Sequence, residues 1–376
     1  MRPTHPTAPP GTVHHHARQT LTNALPWKPF RASVSVPQLL DLLLLMAATR
    51  RTLFAIARRF VPVSHETARR AVRANLPNLD TLTAGLVQAL HEVLALSRCD
   101  RRRRWIVALD THDVPYYGSR STVGVVGGQR KQGTQHFFRY ATAVLVHRRR
   151  RYTVGLVPLT KSRPVHEVVA ALLDQIHGHG LRIGGVVLDS GFDSGETILE
   201  LQRRKLSYTL PLRRKGRGTN RRNACFEWSH GTVGDVSWVT ETTRVTETTR
   251  VLVWQRAGPA QAKVYAFAGW GDPRAVAEPR RAWLGRRRYR ERFGIETSYR
   301  QKNQARAWTT SRDGVYRLLL EGLAHLLRQL WVRLGEQLAH ANGLRPTAWV
   351  EWRLDDLLEA LTDQLKALHP PNRPTM

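Results

Sequence analysis

Residues 286–304 read RRRYRERFGIETSYRQKNQ, and the interpretation of the whole chain depends on this stretch. In a helix, Tyr289, Arg292 and Glu296 stand at i, i+3 and i+7, so a phenol, a guanidinium and a carboxylate share one face. Arg300, four residues beyond Glu296, continues that face. Taken alone, the face predicts an ion-pair network as readily as an active site, so its meaning depends on acidic residues elsewhere.

Two earlier aspartates each follow a short apolar run that predicts a buried strand. WIVALD ends at Asp110, and RIGGVVLD ends at Asp189. Like charges that converge in a partly buried site raise one another's pKa, and a hard divalent cation removes that cost. We therefore predict that Asp110, Asp189 and Glu296 are catalytic carboxylates that bind two Mg²⁺ ions, for which Mn²⁺ can substitute.

The charge of the chain predicts a polyanionic partner. Its 376 residues include 59 Lys and Arg against 29 Asp and Glu, which gives a net charge of +30. A biased composition explains the many arginines but not the shortage of acids. Double-stranded DNA is the favoured partner, because aromatic residues are interleaved with the basic runs. An anionic membrane surface is the alternative, but no basic amphipathic segment is evident as an anchor.

Cysteine content and hydropathy bound the cellular setting. Cys99 and Cys225 are the only cysteines, which excludes a disulfide framework and a cysteine-based zinc site. The most apolar run, VPQLLDLLLLMAA, is interrupted by Asp41 and is shorter than the roughly 20 residues that span a bilayer. No apolar segment precedes a small-residue cleavage site near the N-terminus. We expect a cytoplasmic protein without a membrane partner.

The first part of the chain predicts a leader and a helical domain. Residues 1–33 are rich in Pro, Thr and His without a sustained apolar period, and they predict a flexible leader. Within residues 34–100, a helix that ends at Phe60, a VPV turn and a helix capped by Ser64 outline a helix-turn-helix. The second helix carries the candidate DNA-binding residues Arg69, Arg70 and Arg73. Small helical bundles contain such helix pairs without touching DNA, and that alternative stays open.

The remainder of the chain predicts an α/β core with an insertion. Over residues 101–212 the pattern is three strands, a helix, a strand, a helix and a strand, and the glycine-rich STVGVVGGQRKQGTQ is interpreted as a loop. Residues 213–272 predict a β-rich insertion. Residues 273–340 complete the core with the helix of the opening stretch and a long apolar helix. Residues 341–376 predict a last helix, which either packs on the core or pairs with another subunit.

The three acidic segments, ALDTHDVPYY, VVLDSGFDSGE and YRERFGIETSYRQK, carry a family resemblance. They resemble the catalytic segments of bacterial insertion-sequence transposases of the insertion-sequence-four type, which are DDE transposases. In that family the third segment has Tyr, two residues, Arg, three residues and the catalytic Glu, and Tyr289, Arg292 and Glu296 match this spacing. The family also has a β-rich insertion before the Glu helix. The resemblance covers residues 101–339 approximately.

This resemblance implies a fold and an activity. The implied fold is an RNase H-like mixed sheet flanked by helices. The implied activity is Mg²⁺-dependent cleavage and strand transfer of insertion-sequence ends, with Asp110, Asp189 and Glu296 as metal ligands. Tyr289 and Arg292 are implied to bind phosphate near the scissile bond. The implied partners are double-stranded DNA of the transposon ends and of the target. A second copy of the chain is implied when DNA is bound. The implied location is the nucleoid of a bacterial cytoplasm.

One position departs from the family pattern. The family has a lysine where this chain has Asn303, and the nearest lysine is Lys302. On a helix a shift of one residue rotates a side chain by about 100°, so Lys302 leaves the face of Glu296. Lys302 and Arg300 are both candidate DNA-binding residues, and Arg300 lies on the Glu296 face, where it can take over the phosphate contact.

Other polar and aromatic residues admit two interpretations each. Trp238 and Trp254, in the insertion, are candidates for stacking on a flipped base, as the resemblance implies for some family members, whereas strand tryptophans are more often core. Asp113 and Asp193 either assist the proposed ligands or stabilise turns. His112 is either a proton shuttle or a polar loop residue.

The function also has alternatives. A nuclease with the same core would cleave DNA without joining the ends to a target. A DNA-binding protein descended from a transposase would bind without catalysis; the presence of all three acids argues against it.

Overall fold

The computed structural model describes residues 8–31, 33–60, 63–147, 150–214, 221–240, 244–256, 263–268, 287, 289–290, 292–345 and 351–370. In this part of the chain, nine strands form one mixed sheet, and two hydrophobic clusters join its faces to the surrounding helices.

The central strands have the mixed order of an RNase H-like core. They are β1 (Arg104–Tyr116), β3 (Thr134–His147), β4 (Arg150–Pro158), β5 (Arg182–Leu188) and β6 (Tyr208–Pro211). Their order is β4, β3, β1, β5, β6, in which β1, β5 and β6 are parallel and β3 is antiparallel to β1 and β4. This mixed sheet with helices on its faces confirms the predicted fold class.

Asp110 lies within β1, although the sequence predicts that it ends its strand. Antiparallel pairing with β3 carries β1 on to Tyr116, whereas parallel pairing with β5 ends at Leu109 and Leu188. Asp110 therefore stands one residue beyond the parallel pairing, and Asp189 follows β5 directly. The two aspartates reach the same edge of the parallel sheet, as predicted, but only one of them ends a strand.

The glycine-rich segment after β1 is a strand, so the prediction of a loop is wrong for β2 (Val125–Lys131). Val125 and Val126 are buried and pair with Phe138 and Phe137 of β3. Gly128 permits the close approach, because a Cβ there would lie 2.8 Å from the guanidinium of Arg139. Gly128 is thus at a packed position of the strand, while Gly124 and Gly133, with φ of 82° and 81°, lie in the turns on either side of it.

The sheet continues beyond β6 into the sequence predicted as an insertion. The added strands are β7 (Val233–Val239), β8 (Thr246–Arg256) and β9 (Lys263–Ala268). Their order from the core outward is β6, β9, β8, β7, and each neighbouring pair is antiparallel. Residues 269–286 lie outside the described part of the chain, and with them the predicted boundary at residue 273.

Six helices of the N-terminal part precede the sheet in the described chain. They are α1 (Pro10–Ala24), α2 (Val36–Thr49), α3 (Leu53–Phe60), α4 (His65–Ala74), α5 (Leu79–Leu94) and α6 (Arg98–Arg102). The two helices of the predicted helix-turn-helix correspond to α3 and α4, whereas Val61 and Pro62 of its predicted turn lie outside the described residues. Ser64 caps α4 by accepting a hydrogen bond from the Thr67 amide, 3.1 Å away.

Helix α1 contradicts the prediction of a flexible leader for residues 10–24. Val13, Ala17 and Leu21 are buried at helical spacing, a period hidden among Pro, His and Thr. His14 is also buried, and its Nε2 lies 2.7 Å from Oδ1 of Asp41 on α2. The helix is therefore held by an apolar stripe and by one buried polar contact.

The later helices cover the sheet and close the molecule. They are α7 (Val165–Gly178), α8 (Gly195–Arg203), α9 (Gly294–Asn303), α10 (Gly314–Ala341) and α11 (Leu354–Leu368). Helix α10 is buried over much of its circumference, as predicted, and packs on α5 and β4. Helix α11 packs on α1 and α2, which favours the core-packing alternative for the last helix. No described helix has the length and apolar character needed to cross a membrane.

Candidate active site

Helix α9 brings Glu296 to the edge where the two aspartates stand. Ile295 and Tyr299, on the inner face of α9, pack on Ala108 and Val144 of the sheet. The hydroxyl of Tyr299 lies 2.7 Å from that of Thr142, the residue paired with Asp110 across β1 and β3. The inward spacing of i and i+4 thus leaves Glu296, one residue after Ile295, facing outward.

A glycine permits this placement of α9. A Cβ at Gly294 would lie 2.4 Å from Nε of Arg151, on β4. No side chain fits there without displacing the guanidinium. Gly294, Tyr299 and Thr142 escape motif-based prediction, because nothing in their spacing marks them as functional.

The three predicted carboxylates converge on one guanidinium, that of Arg292. Its Nη1 donates to Oδ2 of Asp110 at 2.8 Å. Its Nη2 lies 3.5 Å from Oδ1 of Asp189 and 3.7 Å from Oε1 of Glu296. The structure therefore brings together all three acids, although they are separated by up to 186 residues in sequence (296 − 110 = 186).

Burial differs among the three acids. The side chains of Asp110, Asp189 and Glu296 are 8%, 30% and 47% exposed. Burial raises the pKa of Asp110 to about 6; Arg292 opposes the rise, and Asp189 and Glu296 add to it. Asp110 is thus the inner carboxylate and depends most on a neighbouring cation, while Glu296 faces solvent.

Arg292 and Tyr289 occur together, as their spacing predicts. The Cζ of Arg292 lies 5.3 Å from the centroid of the Tyr289 ring and 5.2 Å from that of Phe293. Burial raises the pKa of Tyr289, which keeps the phenol neutral. The guanidinium of Arg292 is 6% exposed and faces the carboxylates rather than the surface. A contact between Arg292 and phosphate, as predicted, would need the side chain to turn.

Lys302 does not lie on the surface, and its assignment as a DNA-binding residue is wrong. The side chain is fully buried, and its Nζ donates to the carboxylate of Glu321 on α10. Its helical phase explains this, because Lys302 follows Ile295 and Tyr299 at i+7 and i+3 on the inner face. Arg300 is exposed, so it is the cation that α9 presents outward near its C-terminal end.

The three carboxylates have the donor chemistry of a site for a hard metal ion. Three carboxylates without a nitrogen or sulfur donor are the ligands that Mg²⁺ prefers. In the described residues, no group of three or more His, Cys, Asp or Glu has the arrangement that holds a metal ion. The positive charge between the acids is the Arg292 guanidinium. The donors suit a hard cation, and binding one requires Arg292 to give way.

Two further aspartates, close in sequence to Asp110 and Asp189, have structural contacts. Asp113 forms ion pairs with Arg139 and Lys131. Asp193 accepts a hydrogen bond from the Arg213 amide, 2.7 Å away. These contacts support the interpretation that both aspartates stabilise structure.

His112 is not suited to carry a proton at neutral pH. Burial lowers its pKa to about 3, with a further contribution from Lys302. Its ring lies 4.9 Å from that of Tyr299. His112 lies on β1 and packs against Tyr299 of α9, so it is not a residue of a polar loop.

The two tryptophans proposed for base stacking are half-buried in the insertion. Trp238 packs on the hydrophobic cluster of the sheet, where a Cβ at Gly195 would lie 2.4 Å from its Nε1. Trp254 lies 6.3 Å, between ring centroids, from His230. The packing of Trp238 supports a core role; base stacking by either residue stays a prediction.

The proposed DNA-binding arginines of α4 are all exposed. Glu66 binds two of them: its carboxylate lies 2.6 Å from Nη2 of Arg69 and 3.0 Å from Nε of Arg70. These arginines, Arg69 above all, lower the pKa of Glu66 to about 2. Part of the positive charge of α4 is therefore balanced within the helix.

The strand order, the two aspartates at the edge of the parallel strands and the helical glutamate define a mixed α/β protein with an RNase H-like sheet. The fold is similar to that of piggyBac transposase in a cryo-EM structure of its synaptic complex with hairpin DNA. The TM-score is 0.56 and the sequence identity 11%, with 100% of this chain and 84% of that chain covered. No family model and no curated protein matches the chain. At this identity, the likeness shows a shared fold.

Proposed function

We propose that this chain is a DDE-type DNA transposase that cleaves DNA ends and transfers them to a target. Three independent features support the proposal. The catalytic segments resemble those of insertion-sequence-four transposases, the fold is similar to that of piggyBac transposase bound to hairpin DNA, and the net charge is +30. Because a fold hosts many activities, the proposal depends on the site.

The observation that carries the proposal is the gathering of Asp110, Asp189 and Glu296 around one guanidinium. Carboxylates gathered this closely around a buried Asp110 repel one another, so a site of this kind needs a cation at its centre. Arg292 supplies that charge in the structure. A protein in which the three acids were only surface residues would not hold a buried arginine between them.

The proposed resident cofactor is Mg²⁺, with Mn²⁺ as a substitute, held by Asp110, Asp189 and Glu296. When bound, two such ions supply Lewis acidity to the attacking and leaving oxygens of an in-line displacement at phosphorus. Asp110 is the buried anchor of the site. The more exposed Asp189 and Glu296 form the side that a DNA strand would approach.

The groups proposed to bind phosphate are the guanidinium groups of Arg300 and Arg292 and the phenol of Tyr289. Arg300 is exposed on α9, four residues after Glu296. Arg292 would have to turn from the carboxylates to contact phosphate, and Tyr289, whose ring centroid lies 5.3 Å from the Cζ of Arg292, is the proposed second contact. The arginines of α4 would hold flanking duplex. Two ends must be cut and joined together, so we propose that the chain acts as a homodimer on DNA, in the nucleoid of a bacterial cytoplasm.

A strand-transfer assay tests the proposal. Purified full-length chain is incubated with Mg²⁺, a supercoiled target plasmid and labelled duplexes carrying the sequences that flank its own coding region. The proposal expects nicks at one position near each end and labelled ends joined to the plasmid. Cleavage without joining would identify a nuclease instead. Binding without cleavage in Mg²⁺ and in Mn²⁺ would identify a non-catalytic DNA-binding protein.

A further inference from the structure

A buried charge pair joins α9 to α10. The side chains of Lys302 on α9 and Glu321 on α10 are 0% and 1% exposed, and the ammonium donates to Oε1 of the carboxylate. Glu321 stands in the middle of a helix whose neighbouring residues are mostly apolar and buried. Within the described residues, this is a site where the core encloses two opposite charges.

Other groups complete this cluster. The Nε2 of His325 lies 3.4 Å from Oε1 of Glu321, and Nη1 of Arg306 lies 4.0 Å from Oε2. Burial alone would raise the pKa of Glu321, but Lys302 and His325 hold it well below its usual range. Burial lowers the pKa of Lys302 to about 8, against the opposing effect of Glu321. Both members of the pair are therefore charged at neutral pH.

Stability does not account for such a pair. Removing two charges from water is expensive, and a well-packed apolar pair of similar volume often stabilises a protein as much or more. What a buried ion pair adds is direction, because an ammonium and a carboxylate must meet at hydrogen-bonding distance. Apolar side chains tolerate sliding and rotation of one helix on another far better.

The ion pair lies on the helix whose orientation determines where Glu296 points. Helix α9 has two buried polar anchors, Tyr299, which bonds Thr142 on the sheet, and Lys302, which bonds Glu321. A partly buried third contact joins it to α10, where Nε of Arg328 donates to Oε1 of Gln301 at 3.2 Å. Rotation of α9 by the equivalent of one residue, about 100°, would turn Glu296 away from the two aspartates. The two anchors together fix the rotation and the height of the helix.

We propose that Lys302 and Glu321 are positioning residues for Glu296, and that their buried ion pair sets the orientation of α9 in which the third carboxylate reaches the other two. The inference deepens the proposed function and rests on it. It also gives this lysine a role inside the protein, away from DNA.

The test replaces both charges by methionine in Lys302→Met/Glu321→Met, which keeps apolar contact between the helices. The double variant is expected to fold with a thermal midpoint near that of the unaltered chain. Its kcat for DNA cleavage is expected to fall about a hundredfold, the scale on which small misplacements act, with the KM for DNA unchanged. Its Mn²⁺ affinity, measured by calorimetry without DNA, is expected to fall about tenfold for one misplaced ligand.

The matched control is Arg333→Met/Glu336→Met, which removes another ion pair of α10. It is expected to change neither the Mn²⁺ affinity nor kcat. Should the methionine pair fail to fold, Glu321→Asp takes its place, because it keeps the charge but shortens the reach by one methylene. If the ion pair has only a structural role, a folded methionine pair or Glu321→Asp variant keeps the normal kcat and Mn²⁺ affinity. That result would overturn the inference.

Amide hydrogen exchange separates this inference from the proposed function. In the methionine pair, or in Glu321→Asp, the amides of α9 are expected to exchange faster while those of α10 keep their protection. This readout needs neither metal nor cleavage. If the unaltered chain neither binds Mn²⁺ nor cleaves DNA, the proposed function fails, and the exchange of α9 alone decides whether the pair orients the helix. Unchanged exchange in α9 would reject the positioning role.

Discussion

Nη1 of Arg292 lies 2.8 Å from Oδ2 of Asp110, in a pocket where both side chains are more than nine-tenths buried. A divalent cation and this guanidinium compete for the same carboxylates. We therefore predict that Arg292→Gln binds Mn²⁺ more tightly than the unaltered chain, by about tenfold, which is a coupling of ~1.4 kcal/mol. Calorimetric titration without DNA measures the effect. Weaker Mn²⁺ binding would show instead that the guanidinium organises the ligands.

The same variant tests the phosphate contact predicted for Arg292. If the guanidinium turns to a phosphate in the DNA complex, Arg292→Gln weakens DNA binding. The slope of log K against log salt concentration then becomes shallower by about 0.9, the value for one phosphate contact on duplex DNA. Fluorescence anisotropy over a series of salt concentrations gives the slope. An unchanged slope would mean that Arg292 stays with the carboxylates.

Glu66 balances charge on α4, and its removal tests whether this helix faces DNA. Glu66→Gln releases Arg69 and Arg70 from their ion pairs. We expect tighter DNA binding with a steeper salt dependence. Glu359→Gln on α11 is the control, because it changes the net charge equally on an exposed position of another helix. Equal effects of the two substitutions would exclude a specific role for α4.

A pair of glycine substitutions tests whether α1 is docked. In Gly85→Ala the added methyl would lie 2.5 Å from the carbonyl oxygen of Ala24 and 2.4 Å from Leu25, so we expect the free energy of unfolding to fall by about 1–3 kcal/mol. In Gly11→Ala the methyl meets nothing within 4 Å, and better helix propensity should stabilise α1 by up to ~1 kcal/mol. Urea denaturation measures both. A neutral Gly85→Ala would contradict the docking of α1.

His91 predicts a loss of stability in acid. Its ring stacks on that of His179, with centroids 3.8 Å apart, and burial, together with His179, lowers the pKa of His91 to about 4. Between about pH 6.5 and pH 4 the unfolded chain therefore binds a proton that the folded chain does not. As the pH falls through this interval, the free energy of unfolding should decrease by at most about 3 kcal/mol. Above about pH 6.5 the contribution of His91 should not change with pH.

The control for this pH dependence is His91→Gln. Its amide can keep the hydrogen bond that Nε2 of His91 forms with the carbonyl oxygen of Val154, 2.8 Å away, without a titrating group. Urea denaturation at a series of pH values should give a flatter profile for the variant. A variant as sensitive to acid as the unaltered chain would assign the loss of stability to other groups.

The central sheet and the meeting of Asp110, Asp189 and Glu296 agree with the prediction from sequence, because the strand signals are local. The catalytic role of these acids stays a prediction. WIVALD and RIGGVVLD are apolar runs of strand length. The spacing predicts one helix for Tyr289, Arg292 and Glu296, whereas α9 begins at Gly294, so Tyr289 and Arg292 precede it. Burial against the sheet then fixes which face of the helix turns inward.

The errors arise where tertiary contacts override local composition. The leader contains an apolar stripe too sparse to stand out among Pro and His, and the polar contact of His14 with Asp41 depends on a helix that follows later in the chain. A lysine such as Lys302 can be buried only if the core provides a carboxylate to pair with it. Glu321 provides that carboxylate from the middle of a mostly apolar helix. The sequence around Glu321 does not reveal that its partner is Lys302.

Whether Asp110, Asp189 and Glu296 form one catalytic centre is decided by single-turnover cleavage of end-containing DNA, with DNA affinity measured in parallel. We expect the unaltered chain to cleave only with Mg²⁺ or Mn²⁺. Asp110→Asn, Asp189→Asn and Glu296→Gln should each bind DNA but lose cleavage by about a thousandfold or more. Asp113→Asn, which alters a nearby carboxylate outside the site, should still cleave. Full cleavage by any of the first three variants would contradict the claim that these acids form one catalytic centre.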